Sequence, residues 1–458
     1  MVKRYTYFGM GAVLALAGCT GPRGTGMPLP RPLGREIQSF HASSDDAEES
    51  ASADALEHQD TITLSQALAM ALMKNPELMA FSHGARAAEA RTLQARLLPN
   101  PEIEVEVDSF DHNGEGFDSA ESSVVLGQLI ELGGKRRWRT RVAEAEGELA
   151  GWDYESKRLD VFTETAQRFI EVIAAQRRLE LAKSAVALSE QTSQAVGERV
   201  KAGKEPPLQA AKAVAELEMA RLDALETENS LAVSRKKLAA MWGAEQPHFQ
   251  NVAGDFDSVL DALPSLEMLR LRLSSNPDWA RGDAELKLRQ AALASERAAR
   301  MPDLEAAIGL QRFEEDGSDA LAFGIGLPLP LFDRNQGNIA AARHELAKTQ
   351  AERRAAETEL AAELANAHGT LRSSHGRALT LRSKVVPAVE DAFDAAHKGY
   401  GQGKFGFLDV LDAQRGLFAA RGDLLDALSD YHAALTDIQR ITGTSIEELL
   451  KDKPEEER

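Results

Sequence analysis

The stretch GKEPPLQAAKAVAELEMARLDAL at positions 203–225 returns as GKFGFLDVLDAQRGLFAARGDLL at 403–425. Gly203, Lys204, Leu208, Ala213, Leu217, Ala220, Arg221, Asp223 and Leu225 reappear 200 residues later as Gly403, Lys404, Leu408, Ala413, Leu417, Ala420, Arg421, Asp423 and Leu425, and Gly243 reappears as Gly443. Further out, Asn75-Pro76 recurs as Asn276-Pro277, and Pro101 with Glu104 recurs as Pro302 with Glu305. One register held over this many positions marks an internal duplication. Each copy reads as helix, two short alternating strands, very long helix, tight turn and helix, so the function belongs to a pseudo-symmetric pair of such units. The first repeat is expected over 61–243 and the second over 244–443.

The long helices follow from periodicity. No proline occurs from Lys135 to Val200, and apolar or small residues at Val142, Ala145, Leu149, Trp152, Leu159, Phe162, Ala166, Phe169 and Ile173 recur at steps near three and four. The second copy repeats the pattern from Ile339 through Leu346, Leu360, Leu364, Leu371, Leu381 and Phe393 to Tyr400. At 1.5 Å per residue each run spans roughly 100 Å if unbroken, more than a globular domain needs. Pro387 is the expected weak point of the second rod, because a mid-helix proline removes a hydrogen bond and costs about 3 kcal/mol. Gly203 and Gly403 suit the left-handed residue that ends a helix, and Pro206-Pro207 suits the first turn of the next. Return helices over about 207–242 and 407–442 would then run antiparallel to the rods. A free-standing helical bundle accounts for this much.

The strands do not fit such a bundle. Ile103, Val105 and Val107 alternate with Glu102, Glu104, Glu106 and Asp108; Leu304, Ala306, Ile308 and Leu310 alternate with Glu305, Ala307, Gly309 and Gln311. Leu321, Phe323, Ile325 and Leu327 alternate with Ala322, Gly324 and Gly326. The strands are expected near 102–111, 121–131, 303–313 and 319–329, the second being less regular. Such lengths cross a membrane as tilted β-strands with one face to lipid and the other to a wet lumen. Four strands cannot close alone, and open edges are not tolerated in lipid. Two copies would give eight strands and three would give twelve; the strands themselves do not choose.

The first residues bear on compartment. Lys3 and Arg4 precede an apolar run from Tyr5 to Ala17, too short for a spanning helix, which suits a secretory signal over 1–18. Leu16-Ala17-Gly18-Cys19 resembles the lipobox of bacterial lipoproteins, which implies acylation of Cys19 after cleavage; an ordinary signal peptide with a stray cysteine is the alternative. Thr20 in place of aspartate favours, by the same resemblance, sorting to the outer membrane. Cys19 is the only cysteine, so no disulfide forms within the chain. Residues 19–60 read as a tether without a fold, and 444–458 as an acidic tail. Loss of 1–18 moves the formal charge from −19 to −21, which argues against nucleic acid as a partner and leaves cations and basic surfaces open.

The duplicated plan resembles the TolC-type outer membrane factors over nearly the whole chain, from about Thr61 to Gly443. Gln128-Leu-Ile-Glu-Leu-Gly-Gly-Lys-Arg136 and Pro328-Leu-Pro-Leu-Phe-Asp-Arg-Asn-Gln-Gly337 are similar to the barrel-to-helix junctions of the heavy-metal, CzcC-like branch. Gly399-Tyr400 through Asp409-Val-Leu-Asp412-Ala-Gln414 is similar to the periplasmic tip. The resemblance implies a mainly α protein with a membrane β-barrel: a homotrimer whose 12-stranded barrel in the outer membrane continues as a 12-helix periplasmic α-barrel. It further implies docking on a periplasmic adaptor and an inner-membrane pump of the RND class, with contact to outer membrane lipid. The expected function is a passive exit duct exporting heavy-metal cations. Drug efflux or type I secretion through the same fold is the alternative, and a periplasmic adaptor lipoprotein is the alternative from another class, although that would carry one helical hairpin flanked by β-rich segments.

No enzyme motif is present, neither a phosphate-cradling loop nor a metalloprotease pair nor a nucleophile elbow, and no cofactor is expected. His368 and His375, seven apart, would lie about 11 Å from each other on a helix, too far to share a metal without further ligands, so they are expected to be exposed or to face a lumen. Asp409 and Asp412 stand i and i+3 just after the second turn, where the first copy has Gln209 and Lys212. They read as a solvated acidic face; the resemblance maps them onto the acidic periplasmic gate. The turns carrying Gly203, Lys204 and Leu208, and Gly403, Lys404 and Leu408, are the expected adaptor-docking ends.

Overall fold

The two proline-free runs become two rods. In the computed structural model, which describes residues 59–108 and 120–444, Lys135–Lys201 is one unbroken helix of 67 residues (α3). The signal segment, Cys19, the tether to residue 58, strand positions 109–111 and the tail from 445 lie outside the described residues. The second rod is divided. Gln336–Thr380 (α7) passes through a π-helical turn at Leu381–Val385 into Val386–Gly401 (α8). Pro387 has no N–H to return to the carbonyl four residues back, and its ring would crowd that carbonyl; the wider turn just ahead of it absorbs both effects without ending the rod.

Shorter helices line the rods. Leu64–Lys74 (α1) and Pro76–Ala95 (α2) precede the first hairpin, strands Glu102–Asp108 (β2) and Glu121–Ile130 (β3) form it, and Pro207–Ala240 (α4) returns from the tip. The second copy runs through Leu266–Arg272 (α5), Pro277–Ala299 (α6), Leu304–Phe313 (β5), Ser318–Gly326 (β6), the divided rod and Phe407–Thr442 (α9). Near the sheet α3 packs on α2 and α6; toward the tip it packs on α4 and α9. Short strands Thr61–Thr63 (β1) and Asn251–Ala253 (β4) pair in parallel where the copies meet.

The repeated Asn-Pro pairs are joints. Asn75, 5 % exposed, accepts the Leu78 N–H through Oδ1 (2.9 Å) and donates through Nδ2 to the Met241 carbonyl (2.8 Å). Asn276, fully buried, accepts the Asp278 N–H (2.7 Å) and donates to the Arg440 (3.1 Å) and Ile441 (2.8 Å) carbonyls. In each copy one side chain therefore caps the pre-hairpin helix and clips it to the end of the return helix. Ion pairs repeat as well: Arg221 meets Glu190 and Arg421 meets Glu390, both at 2.7 Å, each tying a return helix to its rod.

The main core sits at this joint, where Ile62, Met70, Phe169, Ile173, Leu238, Trp242, Phe249, Val252 and Phe256 pack together. Burying each large apolar side chain contributes about 1.5–3 kcal/mol. A second cluster joins α7 and α9 through Leu364, Leu371, Tyr431 and Ile438, and a third fills the tip. The connection over 254–264 is strapped to these helices by its backbone. His432 bonds the Phe256 carbonyl (2.9 Å), Arg382 donates to that of Asp257 (2.7 Å), His375 bonds that of Leu260 (2.7 Å) and His368 that of Pro264 (3.1 Å). His368 and His375 are thus half-buried strap holders. The expectation that they are exposed or face a lumen is corrected, because a segment more than 100 residues away in sequence supplies their partners. Burial pushes the His432 imidazole below its ordinary value, favouring the neutral ring.

Candidate functional site

The strands form one antiparallel sheet in the order β2-β3-β5-β6, with the inner pair drawn from different copies. Residues paired across neighbouring strands share a face. One face carries Ile103, Val105 and Val107 of β2, Val124 and Leu126 of β3, Ile308 and Leu310 of β5, and Leu321, Phe323 and Ile325 of β6. All of these are exposed, Ile103 to 72 %, Phe323 to 74 % and Ile325 to 78 %. The other face carries Glu102, Glu104, Glu106, Asp108, Glu121 and Glu305, with Val125, Leu129, Gln311 and Phe313 and otherwise glycine, alanine and serine. The four helices that flank the strands, α2, α3, α6 and α7, all join the sheet at one end, and β2 and β6 are open edges. No described helix is long and apolar enough to cross a membrane.

The two tips share one geometry. Gly203 (φ 69°) and Gly403 (φ 74°) are left-handed. The Lys204 N–H reaches the Arg199 carbonyl and the Lys404 N–H that of Gly399, both at 2.8 Å, the bond that closes a helix end of this kind. The tips are locked to each other. Arg199 donates to the Tyr400 carbonyl (3.0 Å), its guanidinium lies 4.4 Å over the Tyr400 ring, and Val196, Ala213, Ala396, Phe407 and Val410 fill the space between. Gly203, Lys204, Leu208, Gly403, Lys404 and Leu408 all point to solvent, Leu208 being 62 % and Leu408 50 % exposed.

Asp409 and Asp412 are exposed on one side of α9. Asp409 Oδ2 accepts the Gly406 N–H at 2.8 Å, so this carboxylate also caps its own helix. Arg415, next to Asp412, is held by Glu216 of α4 at 2.7 and 2.5 Å. The Arg199–Tyr400 and Arg415–Glu216 contacts carry no sequence signal, since nothing local marks residues about 200 apart as neighbours. The glutamates facing Arg221 and Arg421 were within reach, because Glu190 and Glu390 keep the same 200-residue spacing. Among the described residues no three His, Cys, Asp or Glu side chains are grouped to hold a metal.

Two long helical rods ending in a sheet with one exposed apolar face and one acidic face are the build of a membrane-seated protein. The outer membrane efflux protein family matches this chain over 67–244 and again over 268–444, once per copy. The chain belongs to that family: it is an outer membrane efflux duct that extends into the periplasm. It is 37 % identical over 382 residues to the cobalt-zinc-cadmium resistance protein CzcC of Cupriavidus metallidurans, covering 83 % of this chain and 90 % of that one. It is 27 % identical to the nickel-cobalt-cadmium resistance protein NccC of Alcaligenes xylosoxydans xylosoxydans, covering 64 % and 65 %. Among solved structures it resembles CusC (TM-score 0.71, 19 % identity, 83 % and 92 % covered) and the open Neisseria gonorrhoeae MtrE outer membrane channel (TM-score 0.70, 21 % identity, 84 % and 89 % covered).

Proposed function

We propose that three copies close their sheets edge to edge into a 12-stranded barrel in the outer membrane, with the rods and return helices forming a 12-helix periplasmic barrel beneath it. The observation that carries this is the two-faced sheet: an exposed apolar face wants lipid, an acidic face wants water, and the open edges of β2 and β6 want partners. The cargo is divalent transition-metal cations, by similarity to relatives named for cobalt, zinc, cadmium and nickel resistance. The six carboxylates on the sheet's polar face suit a cation path. Deleting the gene should sensitise cells to zinc, cobalt or cadmium while leaving tolerance to a drug panel unchanged. Sensitisation to drugs alone would remove the metal assignment. Unheated outer membranes should give a slow, urea-resistant gel band at trimer size that collapses to the faster monomer on boiling; a band indifferent to heat would remove the barrel.

The exposed tips suit docking on a periplasmic adaptor that hands cargo from an inner-membrane RND pump. Cysteines placed at Lys204 and Lys404 should crosslink to a co-expressed adaptor, and a cysteine at Asp316, in the second hairpin at the opposite end, should not. Equal crosslinking from both ends would refute the docking assignment. Lys204 and Lys404 would add steering that weakens with salt over a Debye length of about 8–10 Å.

Cys19 is the proposed acylation site. Two acyl chains hold a protein at a membrane, yet a closed barrel does so without them. A Cys19→Ser chain with its signal cleaved should therefore stay in the outer membrane fraction at reduced yield. Release of the whole pool to the soluble fraction would contradict the barrel, and a wild type without a lipid mass increment would contradict acylation.

A further inference from the structure

Residues 135–141, which open α3, include five basic side chains and no acidic one, in a chain of formal charge −19. A helix dipole favours acids in its first turn, so these cations are not there to stabilise α3. Lys135 is matched by Asp303 at 2.8 Å and Arg139 by Glu131. Arg136 and Arg137, both exposed, make no ion pair among the described residues; the Arg137 guanidinium lies 5.6 Å over the Trp138 ring. Arg141 and Arg96 share one carboxylate, Glu144, at 3.3 and 3.0 Å. These four arginines line an open cavity of about 1060 Å³ whose apolar wall includes Leu98 and Ile130.

Its position gives the cavity a meaning. Ile130 alternates with Val124 and Leu126 on the apolar face of β3 and is itself 42 % exposed. The cavity therefore opens at the foot of the apolar face, at the end where strands become helices. We propose that Arg96, Arg136, Arg137 and Arg141 bind the phosphates of anionic phospholipid in the periplasmic leaflet of the outer membrane. The inference rests on the apolar sheet face being lipid-facing. If acyl chains cover that face, the headgroups of the same leaflet lie one layer toward the helices, level with these arginines. A guanidinium pairs with phosphate through two parallel hydrogen bonds, and its stem rests on apolar surface such as Leu98 and Ile130. The duplication does not carry the site, because α7 opens with Gln336, Gly337, Asn338 and Ile339 and has no cation there. The cluster therefore occurs once per chain and is not a requirement of the shared fold.

The test uses the full-length protein in neutral detergent, titrated with phosphatidylglycerol, phosphatidylcholine or inorganic phosphate, with bound lipid counted by native mass spectrometry. The wild type should prefer phosphatidylglycerol over phosphatidylcholine and lose that preference as salt rises. The triple variant R136Q/R137Q/R141Q should bind phosphatidylglycerol roughly five-fold more weakly per arginine, on the order of a hundred-fold in all, and R136K/R137K/R141K should recover most of the loss. Heat-dependent gel mobility should be unchanged in all three. Equal retention of the two lipids by the wild type, or undiminished phosphatidylglycerol binding by the glutamine variant, overturns the proposal. Displacement of phosphatidylglycerol by millimolar inorganic phosphate marks a free-anion site and also overturns it. Should the triple variant fail to assemble, R137Q and the wild-type salt titration decide, and indifference to both overturns it. A wild type that binds phosphatidylglycerol selectively but lacks heat-dependent mobility would refute the lipid-facing sheet and leave the anion site standing.

Discussion

A chain with Asp409→Asn and Asp412→Asn should still assemble and conduct, but it should lose cation selectivity in planar bilayers and its block by multivalent cations. Both carboxylates are exposed, so neither holds the tip together by burial. Asp409 accepts the Gly406 N–H at 2.8 Å, and the amide oxygen of asparagine can accept the same bond. The cost at this helix start is therefore only the lost charge–dipole attraction, about 0.3–1 kcal/mol. Arg415 keeps Glu216 as its partner at 2.7 Å, so the neighbouring ion pair survives the change. In the proposed trimer the two positions supply six carboxylates around one axis, and a ring of like negative charge draws in cations. Removing them should flatten the discrimination between cations and anions, as loss of an acidic ring does in cation channels. If the double variant selects and blocks like the wild type, the aspartates are a helix cap and a solvated neighbour, and the constriction lies elsewhere on the inner helices.

The largest loss of stability should come from Asn276→Ala. The fully buried side chain serves two carbonyls and one N–H, at 2.7 to 3.1 Å, and alanine leaves all three without a partner. Unsatisfied buried groups cost about 1–3 kcal/mol each, with partial relief where water enters, so a loss of about 3 kcal/mol is expected. Asn75→Ala removes one donated and one accepted bond and should cost about 2 kcal/mol. The two joints share no partner, so the double variant should show close to the sum. Asn276→Asp would keep the helix cap but turn a carboxylate toward the Ile441 carbonyl, and should rescue little. Denaturant unfolding followed by helical circular dichroism reads these differences. A change below about 0.5 kcal/mol for Asn276→Ala would show that the joint is not a stabilising element.

The parts of the site that were legible in sequence are those set by neighbours along the chain. That Asp409 and Asp412 share a side follows from helical periodicity alone. That Asp409 also caps its helix depends on the backbone at Gly406, three residues back, and a capping pattern was there to be noticed. The strap over 254–264 was invisible, because its holders His368, His375, Arg382 and His432 use backbone carbonyls that carry no sequence signature. The π-helical turn at Leu381–Val385 was only half visible: Pro387 announces a disturbance, but whether the helix kinks, ends or widens depends on what packs beside it.

The sequence by itself determined the duplication, the two rods, the left-handed glycines at 203 and 403, and strands with one apolar and one polar face, because each of these is written in spacing or in the conformational limits of a single residue. Only the tertiary structure decided that the hairpins merge into one sheet through β3 and β5, that Arg199 of one tip clasps Tyr400 of the other, and that Asn75 and Asn276 clip each pre-hairpin helix to the end of its return helix. The physical reason is common to all three. These contacts join residues more than 160 positions apart, and such pairings are fixed by which surfaces meet when the rods pack, not by any pattern within reach of a local window.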